Sequence, residues 1–233
     1  MSTWPAAPGS AQARQATWPD DLVREQVAAV LAAAAQDPSG TVPIVQAGHP
    51  ALRMRAVPLT GQLEPDTFAE LIAVMRRTMH AAPGVGLAAP QIGLPIALAV
   101  IADPGAGDPE VEQVRERPEL PFRVLVNPRY TPVPDEDPEP VSFYEGCLSV
   151  DGYQAVVPRL RRLRLLCLDE HGTPVDEVLQ GWPARIVQHE TDHLDGVLYL
   201  DRALTRSLSA GDDFGAHWAG EPRPEDAARV LGF

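Results

Sequence analysis

Apolar residues recur at helical spacing in two segments of the first third of the chain. The stronger pattern covers residues 64–80, where the apolar side chains share one helical face: Phe68, Leu71, Ile72, Met75 and Met79. Acidic residues lie in its first turn and basic residues near its end, as the helix dipole favours. Residues 20–36 show the same spacing and are followed by an Asp-Pro-Ser-Gly turn signal. The pattern predicts one amphipathic helix over each segment.

Short apolar runs in the middle of the chain predict β-strands. Three of them are rich in Val, Ile and Leu and cover residues 96–102, 123–128 and 163–169. A Glu-His-Gly turn after the last run predicts a hairpin into the strand that follows. Two Pro-rich acidic segments, residues 103–121 and 132–140, are predicted as solvated surface loops.

Helical spacing returns in residues 181–196, which read GWPARIVQHETDHLDG. Pro183 suits the first turn of a helix, and Gly196 stands where a glycine commonly ends one. Strands followed by a late helix predict an α+β domain and not alternating βαβ units.

Composition is ordinary for a globular protein, and charge adds the main restriction. The 233 residues are 45% hydrophobic, and 19 Lys+Arg stand against 32 Asp+Glu, a net charge of −13. This balance argues against direct nucleic-acid binding, which needs a basic surface. No apolar run has the length of a membrane span. Acidic residues precede the apolar segment 27–36, where an export signal would be basic. A cytoplasmic protein is expected.

The late helix contains a His-Glu-x-x-His motif. His189 and His193 are four residues apart, so both imidazoles leave one face of the helix and can bind one metal ion. Glu190 follows the first histidine and can reach a water on that metal. Because the motif is short, a helix that contains two histidines by chance is the alternative. A third ligand would decide between the two.

Candidates for that third ligand exclude two protease patterns and favour a cysteine. Tyr199 stands where one protease class has its third histidine, and the downstream glutamates lie in a Pro- and Gly-rich tail. Cys147 lies in a turn-like segment, and a thiolate with two imidazoles makes a tetrahedral set with one open position. A buried structural cysteine is the other interpretation, and it suits Cys167, which lies inside an apolar run.

A third segment, GVGLAAPQIG over residues 84–93, has Gln91 as its only polar side chain and lacks the ending of a phosphate loop. Together with EGCLS (145–149) and QHETDH (188–193), in this order, it closely resembles the peptide deformylases. The resemblance covers roughly residues 41–205. It implies an enzyme that removes the formyl group from the N-terminal formyl-methionine of newly synthesised proteins and releases formate.

The resemblance also implies the fold and the metal. The sheets, mixed or antiparallel, would pack around a central helix that carries the His-Glu-x-x-His motif. Cys147, His189 and His193 would hold one divalent ion. Fe(II) is the expected ion, with Zn(II), Ni(II) and Co(II) as alternatives, because such a site accepts each of them.

Three residues receive catalytic roles from the same resemblance. Glu190 would act first as general base and then as general acid. Gln91 and the backbone N–H of Leu148 would stabilise the oxyanion that forms on the formyl group. For Gln91 the alternative is a side chain that only ties its loop to neighbouring backbone.

Substrate binding is assigned in the same way. The backbone of Gly86 and Glu145 would pair with the substrate peptide as an added strand. Val85 and Ile186 would line an apolar pocket for the methionine side chain. Asp192 is expected either to orient a ligand imidazole or to be a solvated helix residue.

The resemblance divides the chain into an N-terminal extension (residues 1–40, a disordered start plus a helix), a catalytic domain (41–205) and a tail (206–233). The tail carries more acidic than basic residues, unlike the basic helix by which some relatives dock on ribosomal RNA, so ribosome association stays open. Asp151 and Gln154 depart from the usual proline and arginine, which leaves substrate preference open.

Two other functions remain as alternatives. Another metal-dependent amidase or peptidase would use the same helix, but its expected third His or Glu is missing. A non-catalytic binder of formylated N-termini would need neither Glu190 nor Gln91, and both are present.

Overall fold

The structure is a computed structural model that describes residues 18–133 and 140–233. Its α-helices are Asp20–Gln36 (α1), Pro65–Ala81 (α2), Pro109–Arg115 (α3), Gly181–Leu194 (α4), Gly211–His217 (α5) and Glu225–Leu231 (α6). Its β-strands are Gly86–Ala88 (β1), Leu98–Asp103 (β2), Leu120–Pro132 (β3), Pro140–Cys147 (β4), Val150–Leu160 (β5), Arg162–Leu168 (β6), Pro174–Gln180 (β7) and Ser209–Ala210 (β8). The predicted disordered start and most of the predicted loop at 132–140 lie outside the described residues.

The strands form two antiparallel sheets. The larger has the order β1-β2-β3-β6-β7, and the smaller has the order β4-β5-β8. β1 and β4 each lie at the end of their order. Each therefore presents an outer edge that pairs with no other strand of the described chain.

α4 is the central element of the fold. Twelve of its 14 residues are buried, and it contacts strands of both sheets. Its apolar side packs into a cluster that includes Leu125 and Leu163, through Ala184, Val187 and Leu194. This packing holds the helix so that its polar residues face the space between the sheets. The predicted α+β fold with antiparallel sheets around this helix is confirmed.

The end of α4 is set by a glycine, as predicted. Gly196 has φ of 73°, and its N–H donates to the carbonyl of His193 at 3.1 Å. A Cβ at this position would lie 2.9 Å from the carbonyl carbon of Arg53. Both the left-handed backbone and the close neighbour therefore favour glycine here.

The other predicted elements agree with the structure in type. α1 spans the predicted residues 20–36, and α2 starts at Pro65. The three apolar runs correspond to β2, β3 and β6. The predicted hairpin joins β6 to β7 through a turn in which Asp169 N–H donates to the Thr173 carbonyl at 3.0 Å.

The interpretation of residues 103–121 as a loop was wrong in part. Pro109–Arg115 forms α3, which begins with a side-chain cap: the Asp108 carboxylate accepts from the N–H groups of Glu110 and Val111. The β4–β5 hairpin was not predicted either, because Pro, Gly and polar residues interrupt its apolar alternation. No helix in the described part of the chain is both long and apolar enough to cross a bilayer.

Candidate functional site

Three predicted ligand side chains from distant parts of the chain converge in the structure. Cys147 Sγ lies 3.3 Å from His193 Nε2, although 46 residues separate them. The ligand atoms of Cys147, His189 and His193 all lie within 4.8 Å of one another. Such spacing suits one ion, because nitrogen and sulfur ligands bind zinc-like ions at about 2.0–2.3 Å.

Two elements position these ligands. α4 carries both histidines on one face, and their ring centroids are 5.0 Å apart. Cys147 is the last residue of β4, where a register shift after Gly146 precedes the tight turn into β5. The N–H of Ser149 in this turn donates to Cys147 Sγ at 3.4 Å.

The ring of His189 contacts a carboxylate through its Nδ1 nitrogen. Glu145 Oε2 lies 3.1 Å from His189 Nδ1, so an N–H on Nδ1 leaves Nε2 free to bind an ion. Burial alone would raise the pKa of the Glu145 carboxyl. The Arg159 guanidinium and the His189 hydrogen bond outweigh burial and hold that pKa well below its usual range.

The side-chain role of Glu145 was missed in the sequence, where only its backbone was assigned. A signal for it exists. Glu145 and Cys147 are two residues apart on one strand, so their side chains leave the same face of the sheet. A carboxylate beside the predicted cysteine ligand could have been inferred from this spacing.

Asp192 is neither solvated nor bonded to an imidazole in the described chain, so both expectations for it were wrong. Only 3% of its surface is exposed. Its Oδ2 accepts from Arg159 Nη1 at 2.7 Å, and both of its oxygens accept from Arg202 at 2.7 and 2.8 Å. Asp192 thus pairs with the buried Arg159 and the partly exposed Arg202.

Glu190 points into the same region and is 4% exposed. Burial raises the pKa of its carboxyl to about 7. Its Oε2 is buried and has no hydrogen-bond partner among the described residues. A carboxylate in this state can take up a proton near neutral pH and release it again.

Gln91 is 1% exposed and has contacts at both ends of its amide. Its Oε1 accepts from the N–H of Ala88 at 2.8 Å, which ties the 3-10 turn Ala89–Ile92 to β1. Its Nε2 faces the site, 3.3 Å from Ser149 Oγ and 3.7 Å from Cys147 Sγ. The loop-tying role therefore exists, and the amide donor is still directed at the cluster.

A cleft of about 700 Å³ contains most of the predicted site. Its lining includes Val85, Gly86, Gln91, Glu145, Cys147, Leu148, Ile186, His189 and Glu190. A second cavity, of about 730 Å³, lies on the other side of Trp182 and Arg185 and contains none of the predicted ligands or catalytic side chains. The cleft is therefore the candidate site.

The match to a known family agrees with this geometry. Residues 41–208 match the family model for polypeptide deformylase. The chain belongs to the polypeptide deformylase family. The family expected from the three motifs is thereby confirmed.

Relatives and solved structures support the assignment over most of the chain. Peptide deformylase 3 of Streptomyces avermitilis is 57% identical over 194 residues, which are 83% of this chain and 85% of the relative. Peptide deformylase 1 of Streptomyces coelicolor is 55% identical over 194 residues, 83% of this chain and 87% of the relative. The crystal structure of the Thermotoga maritima peptide deformylase is 34% identical, with a TM-score of 0.59, and covers 70% of this chain and 97% of that one.

The chain is thus a hydrolase that removes the N-formyl group from newly synthesised proteins. Within the deformylase cleft, two further side chains appear that the sequence had not indicated. Arg117 donates to the Asp103 carboxylate at 2.8 and 3.0 Å, and its guanidinium lies 5.1 Å from the centroid of the Trp182 ring. Arg117 belongs to the segment interpreted as a solvated loop, so no pattern pointed to it. Trp182 precedes Ile186 by one helical turn, which would have placed both on one face.

Asp151 and Gln154, the two positions expected from the sequence to differ from the usual family residues, both lie in the lining of the deformylase cleft. The backbone N–H of Asp151 donates to Gln46 Oε1 at 3.2 Å. Gln154 lies beside Gly146, where a Cβ would be 3.4 Å from Gln154 Cγ. Both residues therefore border the cleft on the β5 side.

Proposed function

We propose that this deformylase hydrolyses the formyl–nitrogen bond with Cys147, His189 and His193 as metal ligands and Glu190 as the proton carrier. The observation that carries the proposal is the convergence of one thiol and two imidazoles beside the buried Glu190 carboxylate, whose Oε2 has no hydrogen-bond partner among the described residues. Family membership gives the bond that is cleaved. The roles proposed for the individual residues come from this geometry.

The donor set fits a divalent ion. A sulfur and two nitrogens suit Fe(II), which we propose as the ion, and also Zn(II), Ni(II) and Co(II). Burial lowers the pKa of His193 well below its usual range, which keeps this imidazole neutral as a ligand must be. When bound, a divalent ion supplies Lewis-acid chemistry, lowering the pKa of water towards neutrality and polarising a carbonyl.

Glu190 moves the proton. Its carboxylate takes a proton from the water whose oxygen attacks the formyl carbon. It then gives a proton to the amine nitrogen as the carbon–nitrogen bond breaks, so that formate and a free N-terminus leave. The raised pKa of its carboxyl, about 7, suits both transfers near neutral pH.

Gln91 and Leu148 stabilise the negative charge that develops on the formyl oxygen. The Gln91 Nε2 donor lies 3.7 Å from Cys147 Sγ, so it is beside the ligand cluster. Leu148 follows Cys147 in the turn after β4 and contributes its backbone N–H. Because Oε1 of Gln91 is held by Ala88, the donor end of the amide keeps its direction without reorganising.

The substrate peptide binds as an added strand between two sheet edges. β1 contains Gly86, β4 contains Glu145, and each strand has an outer edge free of pairing within the described chain. Val85 and Ile186 lie in the same cleft and form the apolar pocket for the methionine side chain, with the Trp182 ring beside them.

The catalytic unit is residues 41–205, because every residue given a role lies within it. The flanking segments pack onto this unit: α1 contacts α2, and β8 of the tail pairs with β5. The acidic chain meets its substrates through the cleft, in the cytoplasm where formylated polypeptides are made.

The test is formate release from formyl-Met-Ala-Ser, with metal content measured on the same sample. We expect formate in proportion to bound metal, and no cleavage of acetyl-Met-Ala-Ser or of the unblocked peptide. A fully metal-loaded protein that releases no formate would contradict the proposal. Hydrolysis of the unblocked peptide would instead indicate a peptidase.

A further inference from the structure

Both oxygens of the buried Glu145 carboxylate are occupied in the structure. Oε1 accepts from Arg159 Nε at 2.6 Å and from Arg185 Nη1 at 2.5 Å. Oε2 accepts from Arg159 Nη2 at 2.9 Å and lies 3.1 Å from His189 Nδ1. The two guanidinium groups therefore determine which oxygen faces the imidazole.

Arg185 reaches Glu145 from the helix that carries the histidines. Arg185 and His189 are four residues apart on α4, so their side chains lie on one face of that helix. Glu145 contacts both of them from β4. Glu145 on the strand therefore bridges Arg185 and His189 on the helix.

The position of Arg185 is itself strongly determined. Its side chain is 6% exposed, and its guanidinium donates to the carbonyls of Val157 at 2.9 Å and Val141 at 2.5 Å. The guanidinium carbon lies 5.1 Å from the ring centroid of Phe143 and 5.5 Å from that of Trp182. A group with this many contacts can act as a fixed support.

Arg159 alone does not fill this role, because its charge is shared. Its Nη1 donates to Asp192 at 2.7 Å while its other nitrogens bind Glu145. Among the described carboxylates, Arg185 forms an ion pair with Glu145 alone. The second cation at Oε1 is therefore specific to Glu145.

We propose that Arg185 is a positioning residue for the metal site: it holds the Glu145 carboxylate so that Oε2 orients the His189 ring. The inference rests on the metal site of the proposed function. It assigns to Arg185 no contact with substrate or metal, and it acts only through Glu145. Partners of a ligand histidine of this kind change metal affinity by about 10–100-fold when they are removed.

The test compares Arg185→Met with a matched control, Arg115→Met. The Arg115 guanidinium lies over the same Phe143 and Trp182 rings and donates to two backbone carbonyls, those of Glu221 and Pro222, both at 3.0 Å. Arg115→Met therefore removes a half-buried cation that lies over the same two rings, without touching Glu145.

The readout is loss of zinc from the loaded protein to a chromogenic chelator. We expect Arg185→Met to bind zinc about 10–100-fold more weakly than wild type, and Arg115→Met to stay within about twofold. In a Glu145→Gln background, Arg185→Met should add less than about twofold, because the two residues act in one chain of contacts. Unchanged zinc affinity in Arg185→Met, equal losses in both arginine variants, or additive losses in the double variant would each overturn the inference.

A spectroscopic readout follows the imidazole directly. In the Co(II)-loaded protein, the shifted N–H proton on Nδ1 of His189 should exchange slowly with solvent in wild type and in Arg115→Met, and rapidly in Arg185→Met. If Arg185→Met does not fold, Arg185→Lys replaces it. The lysine variant should lose part of the zinc affinity in the wild-type background and none further in the Glu145→Gln background. Full zinc affinity in Arg185→Lys, or a further loss in the Glu145→Gln background, would overturn the inference. Wild-type protein that binds no divalent ion would instead refute the proposed function.

Discussion

The backbone of Gly86 lies against the carboxylate of Glu190. A Cβ built at Gly86 would be 2.1 Å from Glu190 Oε1 and 2.6 Å from its carboxyl carbon, so any larger residue here requires the Glu190 side chain to move. The backbone of Gly86 is not in the left-handed region, and the requirement is therefore one of space and not of backbone conformation.

Gly86→Ala should displace the Glu190 carboxylate while leaving the metal ligands in place. We expect kcat for deformylation to fall by roughly 10²-fold, the scale that a misplacement of about 1 Å produces, with metal content unchanged. Gly215→Ala is the control, because a Cβ there would meet no described residue within 4 Å outside its own helix. A Gly86→Ala enzyme with wild-type kcat would mean that the Glu190 position is not critical.

Cys147→Ala, His189→Ala and His193→Ala should each lose the bound metal, as measured by elemental analysis of the purified protein. Cys167→Ala should keep it. Cys167 is the other cysteine of the chain, and burial raises the pKa of its thiol to about 11, so it is not a thiolate at neutral pH. Full metal occupancy in Cys147→Ala would exclude this thiol as a ligand.

Glu190→Ala should keep the metal and lose turnover by about 10²–10⁴-fold, since it removes the proton carrier and not a ligand. The pH profile of the wild-type enzyme gives a second check. The active form is the carboxylate, so kcat should fall as pH drops through the pKa of this group. Burial raises that pKa to about 7, and a divalent cation nearby would lower it. The acid limb should therefore lie at or below about pH 7, and Glu190→Ala should lack it.

The contact of Gln91 with Ala88 and its proposed oxyanion role lie at opposite ends of one amide, and two substitutions separate them. Gln91→Leu removes the acceptor for Ala88 N–H and the donor that faces the ligand cluster. It should lower kcat by roughly 10²–10³-fold, the scale of one lost oxyanion donor, and also lower the thermal midpoint because a buried N–H loses its partner.

Gln91→Glu keeps an oxygen for Ala88 and replaces the NH₂ donor with a second carboxylate oxygen, which also adds a negative charge beside the ligand cluster. We expect a thermal midpoint closer to wild type than that of Gln91→Leu, with a loss in kcat of similar size. Measuring kcat, KM and the midpoint for both variants distinguishes the two functions. If kcat is retained in Gln91→Glu, the oxyanion role passes to Leu148 and the ion.

The iron-loaded enzyme should lose activity in air faster than the zinc-loaded enzyme. Fe(II) and its thiolate ligand are both oxidisable, whereas zinc has no redox chemistry. The measurement is the half-life of formate release for each form under air and under nitrogen. Equal half-lives in air would contradict an oxidisable ferrous site.

The sequence by itself was enough for the elements that depend on local pattern. α1, α2 and α4 follow from helical spacing, because each buries one apolar face whatever its partner is. The arrangement of the two histidines and Glu190 could be predicted for the same reason: one helix determines their relative positions. The three motifs then identified the family, because their order and residue identities are specific.

Only the tertiary structure decided what lies between elements. The Glu145 side chain, the burial of Asp192 and the closeness of Gly86 to Glu190 all depend on how β1, β4 and α4 pack. Arg117 lies in the cleft, although the composition of its segment predicted a solvent-exposed loop. Spacing along a chain fixes directions within one helix or strand, but distances between elements arise from packing of the whole core, which no short segment encodes.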